Sequence, residues 1–247
     1  MATIRCGEHQ FENISAVVFD KDGTLANVED YLRKLSRERI RQIATVVPRI
    51  STFDLAATMG VEDGSVDPTG LMAIASRRDT EIAMAAYVAA RGRGWRESVA
   101  IVHAAFERAK AQMPNQAAQS PLVEGGRSLI TRIRATKTKV GVVSSDTHTA
   151  VGEFIEHHNL ASKVDWYCGS SYESPDKTAP NFLSFVCDAL GTLPAQTLVI
   201  GDSSSDLALA RQGAAGFVAT VGGWRRPPRK LEADAVVRQF SEVECFH

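Results

Sequence analysis

Apolar residues are concentrated in short runs along this chain, and turn-forming or charged residues bound each run. The runs are apolar throughout and do not alternate with polar positions, which is typical of parallel strands buried on both faces. They predict strands at Ala16–Phe19, Val140–Val143, Trp166–Cys168, Leu198–Ile200 and Gly216–Val218. Helical spacing between them predicts helices at Gly126–Thr136, Thr149–His157, Asn181–Leu190 and Ser205–Gln212. Alternating strands and helices predict an α/β fold with a Rossmann-like parallel sheet.

The interval from Leu25 to about Ser120 interrupts this alternation. It contains no convincing strand, and the polar segment Gln112–Pro121 closes it as a plausible linker. Apolar residues at helical spacing predict helices at Ser76–Ala90 and Trp95–Met113. We therefore expect a catalytic core formed by residues 1–26 and 121–247, with a helical cap domain inserted at residues 27–120.

Composition and charge narrow the classes of protein that fit. The chain has 247 residues, 44% hydrophobic and 23% charged, with a formal net charge of -1. This balance argues against a nucleic-acid-binding protein, which needs clustered excess Lys and Arg. No apolar run is long enough to span a bilayer, and the polar N-terminus does not resemble a signal peptide. Four scattered cysteines suit a reducing compartment. We therefore expect a cytoplasmic enzyme or binding protein without a membrane partner.

The first predicted strands end in polar side chains. Asp20 and Asp22 follow the first strand two positions apart, and Gly23 permits the backbone to turn back toward a ligand. Ser144 and Ser145 follow the second, where hydroxyls and backbone N–H groups can bind an anion. Because ligands bind at the carboxyl ends of parallel strands, we expect these residues to meet.

Further charged residues belong to the same predicted edge. Asp202 and Asp206 follow the strand Leu198–Ile200, and Lys177 lies in a loop before a helix. Carboxylates gathered there would repel one another, and a hard divalent cation such as Mg²⁺ would relieve that repulsion. The lysine adds a fixed positive charge for a phosphate and an ionised aspartate. The combination predicts a phosphoryl-transfer site.

These residues resemble the motifs of the haloacid dehalogenase superfamily in its phosphatase branch. The stretch Asp20–Leu25 resembles the first motif, DxDGT, and Ser144 and Lys177 resemble the second and third. The stretch Gly201–Asp206 resembles the fourth motif, GDxxxD, in the family's order. The resemblance covers about residues 12–26 and 121–240. It is nearest to the phosphoglycolate phosphatase and β-phosphoglucomutase group, whose helical cap lies between the first two motifs. Thr178 departs from that group, which usually has proline after the lysine.

The resemblance implies a role for each matching residue. Asp20 is implied as the nucleophile that forms an aspartyl-phosphate, and Asp22 as the general acid and base. The implied Mg²⁺ ligands are Asp20, Asp202 and the backbone carbonyl of Asp22. Asp206 is implied as a support for Lys177 or for the metal. The implied phosphate-binding residues are Gly23, Thr24, Ser144, Ser145 and Lys177.

The function expected from this resemblance is Mg²⁺-dependent hydrolysis of a small phosphorylated metabolite, as in phosphoglycolate phosphatases. A phosphomutase would use the same core, and a non-catalytic binding protein on the same fold also stays open. A phosphonate hydrolase is disfavoured because it needs a cap lysine, and the chain has none from Arg41 to Arg108. Asp22 disfavours a dehalogenase, which lacks the second aspartate of the motif.

Several other polar groups are more typical of structural or solvated positions. Cys6 and His9 with Cys245 and His247 match no common zinc spacing, and the His157-His158 pair ends a helix. The proline-broken basic segment from Arg225 to Lys230 suits a solvated loop. Two arginine clusters of the cap, Arg77-Arg78 and Arg91–Arg93, are secondary candidates for contact with the leaving group.

Overall fold

The computed structural model describes residues 1–170, 177–226 and 232–247. Asp176, next to the candidate site lysine, and residues 227–230 of the basic segment lie outside the described residues. The strands are β1 (Ala2–Cys6), β2 (His9–Ile14), β3 (Ala16–Asp20), β4 (Val61–Glu62), β5 (Ser65–Val66), β6 (Lys139–Thr147), β7 (Trp166–Ser170), β8 (Thr197–Gly201), β9 (Gly216–Thr220), β10 (Ala235–Val237) and β11 (Val243–Phe246). The helices are α1 (Glu29–Val46), α2 (Thr52–Thr58), α3 (Leu71–Ile74), α4 (Arg77–Ala89), α5 (Trp95–Gln112), α6 (Gln116–Gln119), α7 (Gly126–Ala135), α8 (His148–His157), α9 (Phe182–Leu190) and α10 (Ser204–Ala210).

A parallel sheet forms the centre of the fold, with strand order β10-β9-β8-β3-β6-β7 in the described part of the chain. Every neighbouring pair is parallel. Val17 and Phe19 of β3 pack with α7 and α8, whereas Val18 packs with α9 and α10 on the other face. Burial on both faces explains why the strands are apolar at successive positions. The predicted α/β class and parallel sheet are confirmed.

The segment between β3 and β6 forms the predicted helical insertion. Helices α1, α2, α4 and α5 share an apolar cluster of their own, separate from the two clusters of the sheet. The expectation of no strand in this segment is wrong at one place, since β4 and β5 form a short antiparallel pair. Asp63 and Gly64 join them with positive φ angles of 48° and 75°, which is the conformation of a tight two-residue hairpin turn. The boundaries at residues 27 and 120 stay a prediction.

The chain ends form a small sheet that the sequence patterns do not predict. β1 pairs antiparallel with β2 on one side and with β11 on the other, so that Ile4 lies opposite Cys245. Alternate residues of β1 are buried, including Ile4 and Cys6. No helix in the described ranges has the length and apolar character needed to cross a membrane.

Candidate active site

Three neighbouring strands bring the predicted site residues to one edge of the sheet. Asp20, the last residue of β3, lies opposite Val143 of β6, and β3 pairs with β8 as far as Ile200. The next residue of β6 is Ser144, and Asp202 follows β8 directly. β6 continues to the residue before α8, so the two candidate serines lie within this strand and not beyond it. The shared register therefore places chemistry from distant motifs side by side.

Lys177 forms a buried ion triad with two of the carboxylates. Its Nζ donates to Asp20 Oδ1, and it donates to Asp206 Oδ1 at 2.8 Å. Burial alone would lower the pKa of Lys177, but the two aspartates raise it above its usual value. Burial also raises the pKa of Asp20 to about 7 against the opposing effect of Lys177. The lysine ammonium is thus the resident positive charge of a buried acidic cluster.

Asp202 is fixed by two donors from different loops. Thr24 Oγ1 donates to Asp202 Oδ1 at 2.9 Å, and Trp224 Nε1 donates to Asp202 Oδ2 at 2.7 Å. Burial raises the pKa of Asp202 well above its usual value, and the negative charge of Asp20 adds to that effect. A second positive charge beside these two carboxylates would offset both effects.

The carboxylates of Asp20, Asp202 and Asp206 form a group that could hold a metal ion. Each offers one oxygen within 4.8 Å of the others, and all three residues are buried. Asp20 Oδ2 is buried without a hydrogen-bond partner among the described residues. Hard carboxylate oxygens suit a hard divalent cation. The side chain of Asp22 lies outside this group, consistent with an assignment through its backbone carbonyl.

Asp206 also organises the start of helix α10. Its Oδ2 accepts from the Ser203 hydroxyl at 2.6 Å and from the Ser203 backbone N–H at 3.1 Å. The Ser203 side chain in turn accepts from the Asp206 backbone N–H, which completes a capping box. Since its Oδ1 holds Lys177, both Asp206 oxygens already have protein donors.

Asp22 belongs to a second charged network, built around Lys21. Lys21 is only 1% exposed, and its Nζ donates to Asp22 Oδ1 at 2.7 Å and to Asp146 Oδ2 at 3.0 Å. Gln116 Nε2 donates to the same Asp146 oxygen at 2.8 Å. Burial raises the pKa of Asp22, while Lys21 opposes that rise. Lys21 therefore fixes the orientation of the Asp22 carboxylate.

Close backbone approach joins the loop after β3 to the loop after β9. A Cβ on Gly23, which has φ +86°, would lie 2.6 Å from Asp202 Oδ2 and collide with the indole of Trp224. A Cβ on Gly223 would overlap the Gly23 carbonyl oxygen. Glycine at both positions allows the indole N–H to reach Asp202.

A cavity of about 80 Å³ lies over this edge of the sheet, between the core and the insertion. Predicted site residues that line it are Asp20, Asp22, Ser144, Ser145, Lys177 and Asp202. Gly23, Thr24 and Asp206 do not line it, although Thr24 donates to Asp202 and Asp206 accepts from Lys177. The insertion contributes apolar Leu32, Leu35, Met72 and Ile74, together with two arginines, Arg39 and Arg77.

Some of these residues have no local signal in the sequence. Lys21 and Trp224 have the local sequence pattern of ordinary loop residues. Asp146 lies next to the candidate serines, but its pairing with Lys21 joins residues 125 positions apart. Gln116 lies in the predicted linker. Arg39 lies in α1, a helix that is not among those predicted for the insertion.

Among the residues that it describes, the structure places only one of the secondary candidates at the cavity. Of the two cap arginine clusters, only Arg77 lines the cavity, whereas Arg91 pairs with Asp54 on the surface. Cys6 and Cys245 are free thiols on adjacent strands. In the described part of the chain, they belong to no group of three or more metal-ligating side chains.

Comparison with known proteins gives one family and many similar folds. The sequence model of the haloacid dehalogenase-like hydrolases matches residues 14–213. The chain is similar in structure to a predicted phosphoglycolate phosphatase from Haemophilus somnus, with 17% identity, TM-score 0.65, and coverage of 93% of this chain and 96% of that one. It is similar to a candidate β-phosphoglucomutase from Thermotoga maritima, with 18% identity, TM-score 0.60, and coverage of 93% and 96%.

A subfamily IA hydrolase from Geobacter sulfurreducens is also similar, with 19% identity, TM-score 0.59, and coverage of 93% of this chain and 94% of that one. No curated protein matches the sequence. At these identities the structural matches show a shared fold.

Proposed function

The chain belongs to the haloacid dehalogenase-like hydrolase family, and we propose that it is a Mg²⁺-dependent phosphomonoesterase. The family resemblance inferred from the motifs is confirmed. The observation that carries the proposal is the state of the Asp20 carboxylate. Lys177 holds Oδ1, and the buried Oδ2 has no hydrogen-bond partner in the described ranges. Asp20 lines the cavity, so this oxygen can act as a nucleophile.

The proposal extends to substrate, location and domains. The substrate is a small phosphorylated metabolite, hydrolysed as in phosphoglycolate phosphatases, and the protein acts in the cytoplasm. Residues 1–26 and 121–247 form the catalytic core, and residues 27–120 form the cap that covers the site. The apolar residues that the insertion contributes to the cavity support this division.

Asp20, Asp202 and the backbone carbonyl of Asp22 would hold Mg²⁺. The donor set fits, because the two carboxylates are buried beside each other and offer the hard oxygen donors that Mg²⁺ prefers. Asp206 belongs to the same acidic group, but its oxygens are held by Lys177 and Ser203, so its role is support. When bound, Mg²⁺ would reduce the repulsion between the nucleophile and a phosphate ester.

Different side chains carry out the successive steps of the proposed hydrolysis. Asp20 Oδ2 forms a bond to phosphorus while the bond from phosphorus to the leaving oxygen breaks, and Asp22 gives that oxygen its proton. Asp22 next takes a proton from water, whose oxygen attacks phosphorus and releases inorganic phosphate and the free Asp20 carboxylate. Burial raises the pKa of Asp22, which suits a group that must first donate a proton. Ser144 and Lys177 orient the phosphoryl oxygens.

The test replaces the nucleophile and removes the metal. Asp20→Asn should abolish release of phosphate from p-nitrophenyl phosphate, and Asp188→Asn, an exposed aspartate on α9, serves as the matched control. Acid quenching of the wild type should trap one phosphoryl group on the peptide that carries Asp20. A chelator should stop turnover and added Mg²⁺ should restore it. Full activity of Asp20→Asn, or indifference to the chelator, would contradict the proposal, and isomerised sugar phosphate without free phosphate would identify a mutase.

A further inference from the structure

Arg39, on helix α1, faces the candidate active site from the insertion. It lines the same cavity as Asp20 and Asp22, and it also borders an adjoining cavity of about 250 Å³. Its guanidinium carbon lies 4.1 Å from the centre of the Phe106 ring. Stacking on an aromatic face fixes the plane of the guanidinium while leaving its edge free to bind a ligand.

The hydrogen-bonding capacity of Arg39 is almost unused. Its Nη1 donates to Met72 Sδ at 3.3 Å, and a thioether is a weak acceptor. Its Nε is buried without a partner, and no carboxylate in residues 1–170, 177–226 or 232–247 pairs with it. Arg77 differs, because Glu81 and Glu107 both neutralise it.

This arrangement disfavours the positive charge of the Arg39 guanidinium in the protein without a bound ligand. Burial lowers the pKa of Arg39 to about 10 and the nearby charge of Arg77 adds to that effect, while the negative charges of Glu81 and Asp146 oppose it. Arg39 is half-buried, and a guanidinium with five donors and no carboxylate partner keeps the capacity to bind an anion. Its carboxylate neighbours Asp146 and Glu81 are already paired with Lys21 and Arg77, so an anionic partner for Arg39 would come from a ligand.

The position of Arg39 limits what that ligand is. Asp20 and Lys177 line the cavity from the core, where the proposed transferring phosphate must lie. Arg39 lies on the opposing, insertion side with Leu32, Leu35 and Met72, so it meets the leaving-group part of a bound ester. A guanidinium fork matches the paired oxygens of a carboxylate or a phosphate.

We propose that Arg39 binds a second anionic group of the substrate, so that the preferred substrates are phosphomonoesters whose leaving group carries a carboxylate or a second phosphate. This inference rests on the proposed function. It assigns substrate selectivity to one side chain of the insertion, while residues of the core carry out the proposed hydrolysis.

The test compares esters that differ only in the far group. A two-carbon and a three-carbon series each contain a phosphate ester ending in an alcohol, in a carboxylate, or in a second phosphate. The wild type should favour at least one anionic member over the alcohol, and the member favoured identifies the anion. Arg39→Gln should lower kcat/KM for that member about 10- to 100-fold relative to the alcohol, mainly through KM. Arg39→Lys, which keeps the charge and loses the fork, should recover part of the preference.

Control variants distinguish a role of Arg39 in binding the substrate from a role in stabilising the fold. Arg37→Gln changes an exposed arginine two positions away on the same helix and should leave the preference intact. If Arg39 only stacks on Phe106, Arg39→Gln would lower stability and affect the alcohol and the anionic esters equally, which would overturn the inference. A wild type that hydrolyses p-nitrophenyl phosphate without preferring any anionic ester would also overturn it, and the proposed function would stand.

A binding measurement keeps the two proposals distinguishable. Calorimetric titration of Asp20→Asn with the three-carbon carboxylate ester should show tighter binding than with the alcohol, and adding Arg39→Gln should remove the difference. If no ester is hydrolysed but this difference is present, the proposed hydrolysis fails and the anion site stands. If the two esters bind equally, along with the bisphosphate, the anion site fails.

Discussion

Gly223→Ala tests whether the two loops around Asp202 pack as closely as the structure shows. The new Cβ would overlap the Gly23 carbonyl oxygen and lie 2.8 Å from Gly23 Cα, whereas unstrained carbon contacts begin near 3.5 Å. The loops must therefore part by about 1 Å. Gly223 does not have a positive φ, so alanine adds no conformational strain of its own and the substitution isolates the steric effect.

A displacement of about 1 Å breaks the hydrogen bond between Trp224 and Asp202, which is 2.7 Å long. Loss of a buried hydrogen bond to a carboxylate costs about 1.5–3 kcal/mol, and overpacking adds about 1–3 kcal/mol. We expect the free energy of unfolding to fall by about 3–5 kcal/mol, a shift of the urea midpoint of more than about 1 M. Phosphate release should fall as well, because Asp202 loses its orientation.

The assay is urea unfolding followed by far-UV circular dichroism, with phosphate release measured on the same preparations. Gly126→Ala is the matched control, because a Cβ at this buried helical glycine would meet Leu122 at an ordinary 3.4 Å. The control should stay within about 1 kcal/mol of the wild type. If Gly223→Ala is as stable and active as the control, the loops are not in contact and the fixed geometry of Asp202 is wrong.

Three further substitutions test charged side chains. Lys177→Met should abolish phosphate release and lower the free energy of unfolding by about 3–5 kcal/mol, because it leaves buried carboxylates without their cation, and Mg²⁺ should recover part of that stability in urea unfolding. Lys21→Met should lower kcat about 10²-fold through misplacement of Asp22, whereas an unchanged kcat would refute the positioning role. Asp165→Asn should cost about 1 kcal/mol at pH 7. Burial acts to raise the pKa of Asp165, yet its hydrogen bonds from Val140 and Lys139 hold that pKa below the usual value. Its contribution is therefore present above about pH 4 and is lost as pH falls, so the unfolding curves of variant and wild type should converge in acid.

The parallel sheet and the polar residues at its edge could be predicted from the sequence because both depend on local patterns. Runs such as Val140–Val143 are buried on both faces, and the rule that ligands bind at strand ends then brings Asp20 and Asp202 together. The roles of these residues stay predictions, as do the domain boundaries. The structure adds that Asp202 has two fixed donors and that one oxygen of Asp20 has no hydrogen-bond partner among the residues that the structure describes.

Features that depend on contacts between residues far apart in the chain could not be predicted from local patterns. β1 and β11 each bury alternate residues only after pairing with each other, across nearly the whole chain. Lys21 shows no sign of burial in the sequence, because Asp146 supplies its second partner from another strand. Arg39 has the helical spacing of a solvated arginine, and only the fold places Phe106 beneath it and the cavity in front of it.

The connections between core and insertion are part of the loop that carries Asp22. Ala26 bridges to Asp22 on one side and to Leu122 on the other, and Asn27 N–H donates to the Pro121 carbonyl at 2.9 Å. Both chain crossings are thereby tied to the core. Helix α6 packs on α8, and Gln116 Nε2 donates to the Asp146 carboxylate that also holds Lys21. Rotation of the insertion would break the fewest of these contacts if it began beyond Asn27 and before α6. Such a rotation would carry Arg39 away from the cavity while Asp22 and Lys21 keep their positions, so the proposed anion binding by Arg39 would depend on the position of the insertion and the proposed acid–base role of Asp22 would not.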